Sequence, residues 1–359
     1  MDGGLLVPSG TRLVHIGPHK TGTTAVQSGM HEARDAMAEH GVYYPRGGWR
    51  RREAGWALGL PGRWSGVAQP PIERWTALSR EVARAGDLRV CISNEDFGRA
   101  DVATVPRIVH DLGGDRVHVV AVARRLDTYL PSQWQERIKA GHPRSFEGWL
   151  RVVLGDDATR YEHRNVWGAH DLAAMTKRWV DVVGRERFTL VVFDEADRAF
   201  LPHLFEQMLG LPVGTIVPSS RSNTGLSWSE SEVLLALNRA AKRNGWPTEV
   251  HHRFIRDGVH PMLRRTNRAP GPRHPPFPRW ALDEVRRRSD ARIADLRELD
   301  VRVVGDLDAL RVQTEPHPAG ELAPDELTVP VDLAAELVES VIAAALRHDN
   351  SESEPAPER

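Results

Sequence analysis

The sequence predicts an α/β domain whose central sheet is mainly parallel and is flanked by helices. Short β-branched runs alternate with helical segments over residues 12–209, the order that strand–helix–strand units produce. Residues 117–122 are apolar almost throughout, as expected of a central strand that is covered on both faces. The chain also opens with a strand, a tight turn and a helix, which is the usual start of such a domain.

The first elements lie between residues 12 and 44. Residues 12–16 are predicted to form a strand and residues 17–22 a turn. The helix begins at Thr23, because apolar residues then recur at helical spacing until Gly41. Residues 42–44 are predicted to form a second short strand. The apolar face of the intervening helix consists of Val26, Met30, Ala33 and Met37.

The following elements continue the alternation. Residues 46–71 are rich in Gly, Arg, Trp and Pro and are predicted to be a loop. Beyond this loop we expect strands at 88–93, 117–122 and 188–193, and helices at 72–85, 126–140, 145–154, 169–183 and 198–209. This order favours a sheet with helices on both faces.

From about residue 229 the chain is predicted to be mostly helical. Residues 244–279 carry many Arg, His and Pro with little periodicity and are expected to be irregular. Helices are predicted at 229–242, 280–298 and 331–347, the last of them amphipathic.

No internal repeat and no linker divides the sequence. We therefore expect a single domain over residues 1–348. The polar residues 349–359 contain two prolines and are predicted to be a disordered tail.

The composition narrows the class of protein. The 359 residues include 48 Lys and Arg against 49 Asp and Glu, a formal charge of -1, which disfavours a nucleic-acid binder. No window is apolar enough for a membrane span, and the first residues lack a signal-peptide pattern. The single cysteine, Cys91, excludes an internal disulfide and a multi-cysteine metal site. We expect a cytoplasmic protein without a metal.

The strongest signal for chemistry is the turn after the first strand. Backbone N–H groups in such a turn converge on an anion, and the helix N-terminus adds a partial positive charge. Lys20 adds a full charge, and three threonines offer hydroxyl donors. The sequence therefore predicts a phosphate-binding loop. Its residues are Gly17, Pro18, His19, Lys20, Thr21, Gly22, Thr23 and Thr24.

This loop differs from the Walker A pattern of ATP-binding proteins. That pattern places the lysine directly after its last glycine, whereas Lys20 precedes Gly22. No magnesium-binding residue is in register with it. Both features count against an ATP-dependent small-molecule kinase, which stays open as one alternative function. A non-catalytic nucleotide- or sulfoglycan-binding protein with a degenerate site is the other alternative.

The run His15–Thr24, with its Lys-Thr-Gly-Thr-Thr core, resembles the 5′-phosphosulfate loop of sulfotransferases that use 3′-phosphoadenosine 5′-phosphosulfate (PAPS). The form is similar to that of the bacterial and Golgi carbohydrate branches. The resemblance implies a P-loop-like fold, PAPS as cofactor and PAP as its product. It also implies that the loop residues hold the 5′-phosphosulfate and that Lys20 is catalytic.

The same resemblance implies a second phosphate contact. Members of this family bind the 3′-phosphate with an Arg that ends a central strand and a Ser eight residues later. Arg124 and Ser132 match that spacing here. A planar guanidinium paired with a hydroxyl is also chemically suited to a phosphate.

Glu95 follows the strand at 88–93 and matches the general base of these branches. It would take the proton of the acceptor hydroxyl. Asp96 beside it and His19 in the loop are open alternatives for this role. In the C-terminal half, Arg273 lies in a Gly/Pro-rich loop that is similar to one closing over the cofactor in carbohydrate sulfotransferases.

The resemblance therefore implies a bacterial sulfotransferase with Lys20 and Glu95 as catalytic residues. The acceptor would offer a hydroxyl, with an amine as the alternative, on a small molecule, a glycan or a lipid precursor. Its identity would depend on the loops at 46–71, 141–170 and 244–268, whose composition does not encode a substrate. The sequence does not indicate an oligomeric state.

Overall fold

The computed structural model describes most of the chain, in two compact units. The described residues are 4–46, 52–62, 68–193, 195–197, 199–218, 226–266, 272, 274–314 and 329–353. The first unit is drawn from residues 1–126, 158–222 and 285–312, and the second from residues 127–157, 223–284 and 313–359.

The first unit contains a six-stranded sheet in which every neighbouring pair is parallel. The strand order is β2-β3-β1-β4-β5-β6, so the chain leaves β1 for one side of the sheet and later continues on the other side. Ligands of open α/β sheets bind beyond the carboxyl ends of strands at such a reversal. The strands are β1 Arg12–His15, β2 Val42–Tyr43, β3 Arg89–Ser93, β4 Val117–Ala123, β5 Phe188–Val192 and β6 Arg302–Val304.

Alternate residues of the strands pack into separate cores on the two faces of the sheet. In β1, Val14 joins one core and Leu13 joins the other. All seven residues of β4 are buried, which confirms the apolar pattern as that of a central strand. Cys91 in β3 is fully buried, and this burial raises the pKa of its thiol.

Helices of the first unit cover both faces. The helices are α1 Thr24–Glu32, α2 Arg34–Glu39, α3 Arg52–Ala57, α4 Glu73–Arg84, α5 Thr104–Leu112, α8 Tyr161–His170, α9 Leu172–Val183, α10 Phe200–Leu209 and, with its first residues in the second unit, α14 Arg279–Glu298. One core contains side chains of α3, α4, α5, α9 and the C-terminal part of α14, and the other contains side chains of α1, α2 and α10.

The second unit is helical in its described residues. Its α11 begins with a capping box, in which Ser227 and Glu230 satisfy each other's backbone N–H groups. An aromatic cluster joins Phe146 to Trp134, Trp149 and Phe277. The helices are α6 Leu126–Lys139, whose first residue belongs to the first unit, α7 Phe146–Val153, α11 Trp228–Arg243, α12 Thr248–His251, α13 His260–Thr266 and α15 Val331–Ser353.

The structure differs from the sequence-based expectation in several segments. The expected loop at 46–71 contains α3, and neither α8 nor the edge strand at residues 302–304 was predicted. Helix α7 matches the helix predicted at 145–154. The expected irregular stretch at 244–279 contains α12, a π-helix at His252–Val259, and α13. Tertiary packing onto a neighbouring helix overrides weak local periodicity here, because this π-helix packs against α15.

The last helix also ends later than the predicted helix at 331–347. Helix α15 extends to Ser353, so the first residues of the expected disordered tail at 349–359 are helical, while 354–359 lie outside the described residues. Among the described residues, no helix combines the length and apolar composition needed to cross a membrane.

Candidate functional site

The loop at residues 17–23 joins β1 to α1 at the carboxyl edge of the sheet. Hydrogen bonds fix its start to both neighbouring strands, since Val122 N donates to Gly17 O at 2.9 Å and Asn94 N donates to His15 O at 3.0 Å. Gly17 has a φ of 89°, and a Cβ there would lie 3.0 Å from the backbone of Glu95. Gly17 therefore permits a close approach between the loop and the segment after β3.

The second glycine of the loop has a similar role. Gly22 has a φ of 82°, and a Cβ there would lie 2.7 Å from the ring of Phe193, which follows β5. Lys20 also has a positive φ, of 68°, and its side chain is half-buried. A left-handed conformation at a non-glycine residue is uncommon and marks a constrained turn.

Helix α1 begins without a side-chain cap and without an acidic residue in its first turn. Thr23 occupies the N-cap position, yet its hydroxyl donates instead to Glu95 Oε1 at 2.9 Å. A helix N-terminus with neither a side-chain cap nor an acidic residue of its own suits an external anion.

Glu95 and Asp96 begin a 3₁₀ helix, Glu95–Arg99, directly after β3. Asn94 caps this helix by accepting from Asp96 N at 3.0 Å, and Gly98 N donates to Ile16 O at 3.0 Å. Arg178 of α9 donates to Gly98 O and Ala100 O. The two carboxylates are thus held against the loop at residues 17–23 by the main chain on both sides.

His19 lies between the two carboxylates. Its Nδ1 is 3.0 Å from Glu95 Oε2 and its Nε2 is 2.7 Å from Asp96 Oδ1. Glu95 is 5% exposed, Asp96 is 1% exposed, and His19 is 17% exposed. Arg52 Nη2 lies 3.6 Å from Glu95 Oε2. The loop and the segment after β3 therefore share a compact group of charges in which the two carboxylates are buried.

The surroundings of His19 and Asp96 favour the ionised form of each. Burial alone would lower the pKa of His19, but the charge of Glu95 and hydrogen bonds with Asp96 and Glu95 outweigh it, so this pKa is raised. Burial alone would raise the pKa of Asp96, but the hydrogen bond with His19 and the charges of His19, Arg99 and Arg52 lower it below its usual value.

Asp96 has further partners. Its Oδ2 accepts from Trp56 Nε1 at 3.0 Å, and its Oδ1 lies 3.2 Å from Arg99 Nη1. The backbone oxygen of His19 lies 3.1 Å from His170 Nε2. His170 is buried, and burial together with the charges of Arg99 and Arg292 keeps its pKa well below the ordinary value, so the neutral ring donates to His19 O.

Arg124 follows β4 and also contacts the loop. Its Nη1 donates to Lys20 O at 2.7 Å, while its Nε and Nη2 each lie 3.0 Å from the carboxylate of Glu195. Arg292 donates to Arg124 O at 3.1 Å. Arg124 therefore already holds a planar anion in the two-pronged geometry that also suits a phosphate.

The structure brings the expected loop residues, Glu95 and Arg124 into one site of the first unit. Ser132 lies half-buried on α6 in the second unit. Arg273 lies outside the described residues. Among the described residues, no group of three or more His, Cys, Asp and Glu side chains is arranged to hold a metal ion.

The residues that contact this site and that sequence reasoning missed include Arg52, Trp56, Arg99, His170, Glu195 and Arg292. Arg99 could have been found, because it lies three residues after Asp96 in a short helical turn. Trp56 is 40 residues from Asp96 in sequence and His170 is 151 residues from His19, so no local pattern connects them.

Comparisons with known proteins add a distant structural similarity. No protein-family model matches the chain, and no curated protein matches it. The crystal structure of a sulfotransferase from Alicyclobacillus acidocaldarius is similar at 17% identity over 65% of this chain and 93% of that chain, with a TM-score of 0.37. A similarity of this size leaves the activity of the chain to be argued from its own residues.

Proposed function

We propose that this protein is a PAPS-dependent sulfotransferase that transfers a sulfuryl group to a hydroxyl of its acceptor. The observation that carries the proposal is the hydrogen bond between Thr23 and Glu95, which attaches a buried carboxylate directly to an anion-binding loop. A protein that only bound an anion would gain nothing from a carboxylate at this position. A transfer enzyme needs such a base beside the group that is transferred.

The residues of the loop fit the 5′-phosphosulfate. The uncapped N-terminus of α1 offers backbone N–H groups, Lys20 offers an ammonium, and Gly22 keeps the turn free of a side chain. Arg124 would hold the 3′-phosphate by exchanging Glu195 for it, with Ser132 as its partner. Arg273 would add a further charge.

The proposed mechanism assigns one task to each residue. PAPS supplies the sulfuryl group when it is bound, and PAP leaves. Glu95 accepts the proton of the acceptor hydroxyl as the new oxygen–sulfur bond forms. Lys20 neutralises the negative charge that develops on the oxygen bridging to the departing 5′-phosphate. The loop amides and threonine hydroxyls hold the reacting groups in line, which makes most of the acceleration positional.

A hydroxyl on a small molecule, a glycan or a lipid precursor suits a base of this kind, and an amine is the alternative. We propose a cytoplasmic location for the enzyme.

Ligand-dependent thermal stability tests the proposal most directly. We expect PAP to raise the melting temperature of the protein and ATP with Mg²⁺ to raise it much less, because stabilisation follows RT ln(1 + [L]/Kd). The same measurement on Lys20→Ala tests whether this lysine contributes to the binding of PAP. Lys177→Ala is its matched control, since Lys177 pairs with Asp181 on the exposed face of α9. Stabilisation by ATP with Mg²⁺ but not by PAP would favour the kinase alternative and contradict our proposal.

A further inference from the structure

His19 has both of its ring nitrogens directed at carboxylates. The distances are 3.0 Å to Glu95 and 2.7 Å to Asp96. A neutral imidazole carries one N–H and can donate to only one of these oxygens, whereas an imidazolium donates to both. Two ionised carboxylates on opposite sides of one ring therefore favour its doubly protonated form.

The partners of His19 are themselves fixed. Asp96 is held by Trp56, by Arg99 and by the cap of its own short helix. On its main-chain side, His19 is held by the hydrogen bond from His170 to its backbone oxygen. The ring thus connects a rigid support, Asp96, to a second carboxylate, Glu95.

We propose that His19 is an imidazolium at neutral pH that positions Glu95, and that Asp96 is the residue that keeps it protonated. The catalytic part of this inference rests on the proposed function, in which Glu95 is the base. Thr23 holds Oε1 of Glu95 and His19 holds Oε2, and both belong to the phosphate-binding loop. The carboxylate is thereby aligned with the same loop that would bind the reacting group.

The arrangement also excludes His19 as the base. A base must accept a proton, and both nitrogens of an imidazolium already carry one. Each oxygen of Glu95 keeps a second lone pair beside the bond from Thr23 or His19, so the carboxylate can still accept. His19 is therefore a positioning residue for Glu95.

The charges that face His19 come from several elements. Glu95, Asp96 and Arg99 lie on the short helix after β3, and Arg52 lies on α3. Lys20 is the next residue of the loop. His15 of β1 and His170 of α8 are buried, and burial is the largest cause that lowers the pKa of each, so both face His19 as neutral rings. The two carboxylates in direct contact outweigh these more distant cations, in agreement with the raised pKa of His19.

The protonation state can be measured without any activity. The ring nitrogens of ¹⁵N-labelled histidine report by NMR whether each carries a proton, and the His19→Gln spectrum identifies the His19 signals. We expect both nitrogens to be protonated at pH 7, with a titration midpoint above the ordinary 6.5. In Asp96→Asn the midpoint should fall by roughly one pH unit or more. A neutral His19 ring at pH 7 in the unaltered protein would overturn the proposal.

Kinetics test the positioning role. With release of PAP from PAPS as the assay, over a panel of hydroxylated acceptors, kcat should fall as the pH rises through the His19 midpoint. Asp96→Asn should move this alkaline limb to lower pH and leave the KM for PAPS nearly unchanged. The matched control is Asp111→Asn, because Asp111 also accepts from a tryptophan, Trp75 Nε1 at 2.7 Å, but does not contact His19.

The variant His19→Gln provides a second measurement if Asp96→Asn does not fold. We expect it to lose roughly 10- to 100-fold in kcat with little change in PAP affinity, the scale of a misplaced reacting group. Full turnover in His19→Gln, or an alkaline limb that stays in place while the His19 midpoint moves, would overturn the positioning role. If PAP does not bind and no acceptor is sulfated, the proposed function fails, while the NMR titration still decides the state of His19.

Discussion

Thr23 occupies the N-cap of α1 but donates its hydroxyl to Glu95, at 2.9 Å, instead of to its own helix. One residue therefore leaves the helix N-terminus uncapped and also fixes a buried carboxylate. Capping residues normally stabilise the helix they begin, by about 0.5–2 kcal/mol. Here that local stabilisation is given up for a contact 72 residues away in sequence, which is the kind of local exception expected at a functional site.

The Thr23–Glu95 bond makes a first prediction, on stability. Thr23→Val keeps the shape of the side chain but removes the hydroxyl, so that one oxygen of a buried carboxylate loses a partner. We expect the free energy of unfolding in urea to fall by about 1–3 kcal/mol. Thr23→Ser keeps the hydroxyl and should lose much less. Equal losses in the two variants would show that the methyl group, and not the hydrogen bond, is what stabilises this contact.

Lys20 is the subject of a second prediction. Lys20→Ala should lower kcat by about 10²–10³, the scale of removing one donor to developing negative charge. PAP affinity should fall less, because that charge is greatest in the transition state. Lys20→Arg should also fail, since a planar fork does not replace a compact ammonium in a tight loop.

A control separates the side chain of Lys20 from its backbone. Lys20 has a φ of 68°, which glycine adopts without cost. Lys20→Gly should therefore be as inactive as Lys20→Ala while folding at least as stably. Near-normal turnover in either variant would contradict the assignment of the loop.

The third prediction follows from the pairing of Arg124 with Glu195. Arg124→Ala should weaken PAP binding by about 1.5–3 kcal/mol, and Ser132→Ala by less. Adenosine 5′-phosphosulfate lacks the 3′-phosphate and should be affected less by either change. Glu195→Gln should tighten PAP binding, because the phosphate then displaces a neutral amide and no longer competes with a carboxylate. Calorimetry with both nucleotides measures these effects. Equal losses of affinity for the two nucleotides would show that Arg124 does not act on the 3′-phosphate.

Much of this site could be predicted from the sequence because its parts directly follow strands. The loop at 17–24, Glu95 and Arg124 each come immediately after a strand of a parallel sheet, and the carboxyl ends of such strands share one edge. The apolar run of β4 and the spacing in α1 identified these strands and helices. The resemblance to sulfotransferases selected Glu95 and Arg124, and their positions after strands explain why they lie near the loop.

Other parts could not be predicted, because they depend on tertiary contacts. The position of His19 between Glu95 and Asp96 depends on the close approach that Gly17 permits, and the position of Asp96 depends on Trp56. The helices at 248–266 lack a clear local pattern, and β6 is a three-residue edge strand with partial burial. Patterns of single residues do not contain such long-range information.

Glu95 is the subject of the fourth prediction. Glu95→Gln should lose about 10²–10⁴ in kcat, the usual range for a general base, with PAP affinity nearly unchanged. His19→Asn should keep a larger share of the activity, because the base Glu95 is then less well positioned but is still present. The comparison is made at saturating PAPS, with PAP affinity as the control for folding. An inactive His19→Asn beside a fully active Glu95→Gln would make His19 the base and contradict our assignment.

The last prediction concerns stability at acid pH. Burial is the main cause that lowers the pKa of His15 to about 4 and of His118 to about 4, and the His118 ring is held neutral beside Thr189 at 2.9 Å. In the unfolded chain these histidines take up a proton near pH 6.5, whereas in the folded protein they stay neutral until about pH 4. Between these values the unfolded state binds more protons, so stability falls as the pH is lowered.

Each of these two histidines should therefore destabilise the protein by up to about 3 kcal/mol between pH 6.5 and pH 4, at about 1.4 kcal/mol per pH unit. Urea unfolding across this range measures the slope. His118→Gln can keep a hydrogen bond to Thr189 but cannot be protonated, so its slope should be shallower by the contribution of one proton, while its stability at pH 7 changes little. His19 acts in the opposite direction, because its pKa is raised: its stabilising effect is complete below pH 6.5 and is lost as the pH rises through its folded value. An unchanged acid slope in His118→Gln would mean that His118 takes up its proton at the same pH in the folded protein as in the unfolded chain. That result would contradict the effect expected from its burial in β4.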